Sequence, residues 1–221
     1  MKKSITSIAI IATAGTAFAG SSSLLSNGGF ETAGPGGAAD SDQWTEFAGG
    51  AAGTLSERSA NMPLAGGWSH EITAVGEDTV GAGAGINYNS ISDGGLASLA
   101  ESTVVNLSFD AETNFGPGGV GFYVLRILNG DGAIVADSGL QNLNAAGTAS
   151  YGTSVNVPLF GGGANDTYAA FVEIVTNAGA FDGSNAFARI DNVSLTGTLI
   201  PAPAGFALMG LGGLVATRRR R

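Results

Sequence analysis

Residues 103–136, TVVNLSFDAETNFGPGGVGFYVLRILNGDGAIVA, decide the fold. Val105, Leu107 and Phe109 occupy every second position, with Asn106, Ser108 and Asp110 between them. A period of two sends alternate side chains to opposite faces, so Thr103–Thr113 reads as a strand with one apolar face. The glycines of 116–119 interrupt the pattern, and Val120–Leu128 follows as a long apolar and aromatic run. Asn129-Gly130-Asp131-Gly132 then tolerates the positive φ of a hairpin turn, and Ala133–Ala136 returns antiparallel.

The same grammar extends both ways. Upstream, Asn27–Glu31 reads as a turn entering a first strand, 32–42 as a loop and Trp44–Phe47 as a short strand. Leu64–Trp68 leads into a strand at Ser69–Val75, and Gly85–Ile91 alternates apolar and polar residues. Downstream, 138–148 reads as a loop, Ser150–Phe160 as a strand, Gly161–Gly163 as a loop, and Tyr168–Thr176 and Phe187–Leu199 as the last strands. No stretch of the body keeps a 3.6-residue period over three turns. Eight to ten short strands joined by glycine-rich turns, in a chain with 37 Gly, predict an all-β antiparallel β-sandwich of the jelly-roll kind. No fixed-period repeat points to a solenoid or propeller.

The ends differ from this body. Lys2 and Lys3, the apolar run Ile5–Ala14 and the small-x-small site Ala17-Phe18-Ala19 form a secretory signal over 1–19, predicting a signal helix and a mature chain from Gly20. The body is then 20–199. The tail, 200–221, has Pro201, Ala202 and Pro203, then the uncharged run Ala204–Thr217, then Arg218, Arg219, Arg220 and Arg221. The run reads as a short hydrophobic helix of roughly 21 Å at ~1.5 Å per residue, a marginal span for a hydrocarbon core of ~30 Å. Arginines behind an apolar run stay on the cytoplasmic side. This order of proline motif, apolar helix and arginine cluster resembles the PEP-CTERM sorting signal, here in a Pro-Ala-Pro variant. The resemblance implies export, then handling by an exosortase-like processing enzyme, with the cell surface or extracellular matrix as destination and membrane attachment only through the tail.

Without its ends the chain keeps three arginines, Arg58, Arg126 and Arg189, against 18 acids, a formal charge of −15. Such a body repels nucleic acid, whose binding rests on Lys and Arg neutralising phosphates. With no cysteine, thiol catalysis, Fe–S clusters and zinc–thiolate sites are excluded, and a body of about 180 residues must be held by its core.

NGGFE at 27–31 with Trp44 behind it, TVVNLSFDA at 103–111 and RIDNVSL at 189–195 together resemble the galactose-binding-like jelly rolls of carbohydrate-binding modules. In a jelly roll the first and last strands are neighbours, so Glu31 and Asp191 are expected close together. The resemblance implies a structural Ca²⁺ there, with Glu31 and Asp191 as ligands and backbone oxygens completing a shell of six to eight. It also implies sugar stacking on aromatic rings. Trp44, Trp68, Tyr88, Tyr123 and Tyr151 are the candidates; Trp44 suits the core, while Trp68, Tyr88 and Tyr123 are expected to line one sheet face.

Catalysis finds little support. His70 is the one histidine, and next to Ser69 in a strand it points to the opposite face. No pair among the 18 acids is marked as a glycosidase pair, and no glycine-rich stretch precedes a helix. The sequence therefore predicts an exported, non-catalytic surface or matrix protein sorted through its tail. A carbohydrate-binding module gripping extracellular polysaccharide is the alternative, and a glycan-acting hydrolase a more distant one.

Overall fold

The computed structural model describes residues 21–159 and 167–200. Among them are twelve strands and no helix. The expected signal helix at 1–19, the tail motif and arginines at 201–221 and the Gly161–Gly163 loop lie outside the described residues. The strands are β1 (Ser22–Ser23), β2 (Thr45–Gly49), β3 (Leu55–Ser59), β4 (Ser69–Val75), β5 (Ala82–Asn89) and β6 (Val104–Phe115). They continue with β7 (Val120–Leu128), β8 (Ile134–Asp137), β9 (Gln141–Asn142), β10 (Ala146–Asn156), β11 (Ala169–Ala178) and β12 (Asn185–Gly197).

They form two antiparallel sheets. The first runs β10-β6-β12-β4-β3, with β1 pairing β12; the second runs β2-β5-β11-β7-β8, with β9 pairing β7. The expected all-β antiparallel sandwich is what forms. The alternation of β6 works as its sequence requires: Val105, Leu107, Phe109 and Ala111 are buried between the sheets. They meet Tyr123, Leu125 and Ile127 of β7 and Val172 and Ile174 of β11 in one continuous core. Each fully buried large aliphatic or aromatic side chain contributes about 1.5–3 kcal/mol against exposure.

Three segments depart from the expectation. Asn27–Glu31 is a turn that enters no strand, and Phe30 sits at φ 55. Asn27 ties the turn down: its Nδ2 donates to Thr32 O (3.0 Å) and Asp42 O (2.9 Å), and its Oδ1 accepts from Thr32 N–H. Leu55–Ser59 is a strand that alternation does not reveal, because Ser56 and Arg58 face inward. The 138–148 segment holds β9 and the start of β10.

The turn is close to the far end of the chain. Val193 N–H donates to Gly28 O at 2.8 Å, and a Cβ on Gly28 would lie 1.8 Å from Val193 O. There β12 carries a bulge between Asp191 and Ser194, with Asn192 at φ 53. NGGFE and RIDNVSL are thus two halves of one contact, and glycine is required at 28 because backbone passes through its side-chain space.

Candidate functional site

The contact brings Glu31 and Asp191 together. A Cβ on Gly29 would be 3.8 Å from Glu31 Cγ and 3.9 Å from Asp191 Oδ1. The segment before β4 caps both: Ala65 N–H donates to Asp191 Oδ2 (2.7 Å), while Gly67 and Trp68 N–H donate to Glu31 Oε1 (2.8 and 3.3 Å). Burial, then the charges of Glu31 and Asp110, push the Asp191 carboxyl above its ordinary range, against the amide bonds from Ala65 and Asn192. Asp110 is pulled the other way by hydrogen bonds from Ser150 and Asn192. Ser69 Oγ, on the strand paired with β12, is buried without a partner. The two carboxylates are oxygen donors of the kind a hard cation such as Ca²⁺ takes. Among the described residues no three His, Cys, Asp or Glu side chains converge as a metal-binding group. Most of such an ion's shell would therefore come from backbone oxygens.

His70 is fully buried. Its Nε2 lies 2.9 Å from Ser56 Oγ, and its Nδ1 lies 2.9 Å from Ser41 Oγ and 3.6 Å from Glu46 Oε1. Ser56 donates its hydroxyl hydrogen to Gly85 O, so Nε2 supplies the hydrogen between His70 and Ser56 and Nδ1 accepts from Ser41. In that arrangement the imidazole activates no serine. Burial lowers its pKa to about 3, leaving a neutral group that ties β3, β4 and the 41–46 segment together.

The expected stacking rings are not on one face. Tyr88 is fully buried, its hydroxyl donating to Leu24 O, and burial with the Asp93 charge pushes its pKa up to about 12. Tyr123 is buried against Phe109 and donates to Gly152 O. Trp68 is half-buried under the Arg58 guanidinium, 3.5 Å from the ring centroid, and lies ahead of a strand of the other sheet. Tyr151 stacks on Phe109 at 5.3 Å. Trp44 is in the core, as expected, with its Nε1 donating to Asn27 O. The expectation that Trp68, Tyr88 and Tyr123 line one sheet face is therefore corrected: β5 and β7 turn both tyrosines inward.

The same alternation turns a different set outward on the second sheet. Pairing aligns Phe47, Gly85, Val175, Phe122 and Asn142 in one row across five strands. Gly85 makes room for Phe47, since a Cβ there would meet the Phe47 ring at 2.6 Å. The next row is Thr45, Asn87, Glu173 and Val124, and the one after is Asn89, Phe171, Arg126 and Asp137. Arg126 is fixed between Glu173 (3.0 Å) and Asp137 (3.3 Å). Phe47, Phe122 and Phe171 are half-buried. At ~4.8 Å between strands the row from Phe47 to Asn142 spans about 19 Å. Aromatic faces, amides and a clamped ion pair on one surface suit a ligand with C–H faces and many hydroxyls. Phe122 is not legible in the sequence because Val120–Leu128 is apolar on both sides, so periodicity does not say which set faces out.

No family model and no curated protein matches the sequence. Solved structures match in fold. The enzymatically active domain of tailspike protein 4 from bacteriophage CBA120 aligns with TM-score 0.52 at 19% identity, over 80% of this chain and 21% of that one. A cyclase from Fischerella sp. TAU aligns with TM-score 0.51 at 18% identity, over 83% and 100%. A carbohydrate-binding module in complex with β-1,4-galactotriose aligns with TM-score 0.47 at 13% identity, over 79% and 97%. This chain thus spans about a fifth of the tailspike chain. At 19% and 18% identity, what this chain shares with the tailspike domain and the cyclase is the fold alone.

Proposed function

We propose that this protein is a non-catalytic carbohydrate-binding protein that holds an extracellular polysaccharide across the outer face of the second sheet. The observation that carries this reading is the row Phe47–Gly85–Val175–Phe122–Asn142, with Asn87, Glu173 and Arg126 beside it. The rings offer stacking surfaces, and the amides and ion pair offer hydrogen bonds to hydroxyls. The neutral, fully engaged His70 favours binding over hydrolysis. Affinity electrophoresis against a polysaccharide panel tests the reading. One or more polymers should retard the protein, and Phe122→Ala should weaken that binding at least about tenfold, roughly 1.4 kcal/mol. Binding that Phe122→Ala leaves unchanged removes this face from the account.

Two subsidiary proposals accompany it. The Glu31–Asp191 pair would hold a structural Ca²⁺ that binds the folded chain and adds no chemistry. The signal at 1–19 and the tail at 200–221 would deliver the protein to the cell surface or matrix, with the tail handled by an exosortase-like enzyme. Deleting 200–221 should then release the protein from the membrane fraction; unchanged fractionation contradicts tail-dependent sorting.

A further inference from the structure

We infer that the outer face of the second sheet continues into a subsite for a single uncharged sugar unit, held by the side-chain amides of Asn89 and Asn129; this rests on the carbohydrate-binding reading above. The pairing that builds the face has one more row past Asn89–Phe171–Arg126, in which Ala169 pairs with Leu128. Above it lies a cavity of about 280 Å³ lined by Ala169, Leu128, Ile91, Ser92, Asn89 and Asn129, among others. That is just under the ~300–1,000 Å³ of pockets for drug-sized ligands, so it suits one ring and not a chain.

The two asparagines are set by the loops that carry them. Asn89 Oδ1 accepts from Ile91 N–H (2.9 Å) and Ser92 N–H (3.1 Å) in the turn after β5. Asn129 Oδ1 accepts from Asp131 N–H (3.1 Å) and Ala133 N–H (2.8 Å) in the β7–β8 hairpin. Backbone N–H groups only donate, so they fix the oxygen of each amide, and the Nδ2 group is the remaining end. Neither Nδ2 has a hydrogen-bond partner among the described residues. Two anchored donors from different loops therefore border one cavity whose floor is Leu128, Ala169 and Ile91. A partner must bring acceptor oxygens and an apolar C–H surface, which a sugar ring does. Among the described residues no Lys, Arg or His lines the cavity, and the body's net charge of −15 opposes an anion. Neutral sugars are selected over uronates.

The test is ¹⁵N NMR titration of the intact protein with xylotetraose, cellotetraose and β-1,4-galactotriose, and with tetragalacturonate as the acidic probe. At least one neutral probe should bind, shift the Asn89 and Asn129 side-chain NH₂ resonances, and bind at least tenfold tighter than the uronate. Asn89→Asp and Asn129→Asp keep the turn acceptor and remove the donor. Asn89→Ser and Asn129→Ser keep an acceptor oxygen for the turn and remove the amide NH₂ that borders the cavity, without adding charge; each should weaken neutral-probe binding several-fold. A neutral probe that binds and is lost in Phe122→Ala, yet leaves both amides unshifted and is insensitive to the Asn variants, overturns the subsite and leaves the face standing. Preference for the uronate also overturns it. No binding by any probe overturns the subsite and the face together.

Discussion

Single residues here are sorted by which side of a strand they fall on, and neighbours meet opposite fates. Tyr123 is sealed in the core while Phe122 is half-buried on the opposite side; His70 is sealed between the sheets while Glu71, on the other side of the same strand, pairs with Arg189. A buried neutral histidine makes stability depend on pH. Its pKa of about 3 lies below the unfolded value of 6.5, so the unfolded chain binds the proton first. Stability is complete above about pH 6.5 and falls by about 1.4 kcal/mol per pH unit as pH drops from there towards 3. His70→Gln should be less stable at neutral pH but show a shallower loss from pH 6.5 to 4.5, measured by urea denaturation; equal slopes would contradict the assignment. Asp191 has the opposite sign. Its pKa is raised, so the folded chain holds the proton longer and stability falls as pH rises through the interval above 3.8. A cation reverses this by favouring the ionised form. Ca²⁺ should raise the Tm at pH 7, and Asp191→Asn should abolish the increment; no shift in the parent protein ends the calcium proposal.

At the scale of elements, glycines mark where backbone or rings pass close by. Gly28→Ala would drive a methyl into the β12 bulge at Val193 O and should destabilise the protein by more than about 3 kcal/mol, read from denaturant midpoints. Gly85→Ala would meet Ile174 O at 2.5 Å and the Phe47 ring at 2.6 Å. It should cost about 1–3 kcal/mol and reduce polysaccharide binding by displacing Phe47, whereas unchanged binding would show that Phe47 is dispensable. These elements also show how far sequence can be read. β4 and β7 coincide with the strands expected at Ser69–Val75 and, from its long apolar run, at Val120–Leu128. β3 was not legible, since Leu55-Ser56-Glu57-Arg58-Ser59 looks like a polar loop; Arg58 is inside because Phe30, Glu31 and Ala38 carbonyls satisfy its guanidinium. The Glu31–Asp191 juxtaposition was legible from two motifs. The Phe47–Phe122 row was not, because it exists only once the registers of β2, β5, β11 and β7 are fixed, and one residue of slip would turn it inward.

The whole molecule is a sandwich with two unlike outer faces. On the first sheet Arg189 is held by Glu71 and Glu112, beside Asp110 and the buried Asp191. The second sheet carries rings and amides around a single clamped arginine. On the function proposed above, the second of these faces grips polysaccharide. Backbone ¹⁵N shift mapping with a bound oligosaccharide tests it most directly. Perturbations centred on Phe47, Asn87, Phe122 and Glu173 are expected, with the first sheet silent. Perturbations centred on Trp68 and the Glu31–Asp191 end, with the second sheet silent, would contradict it.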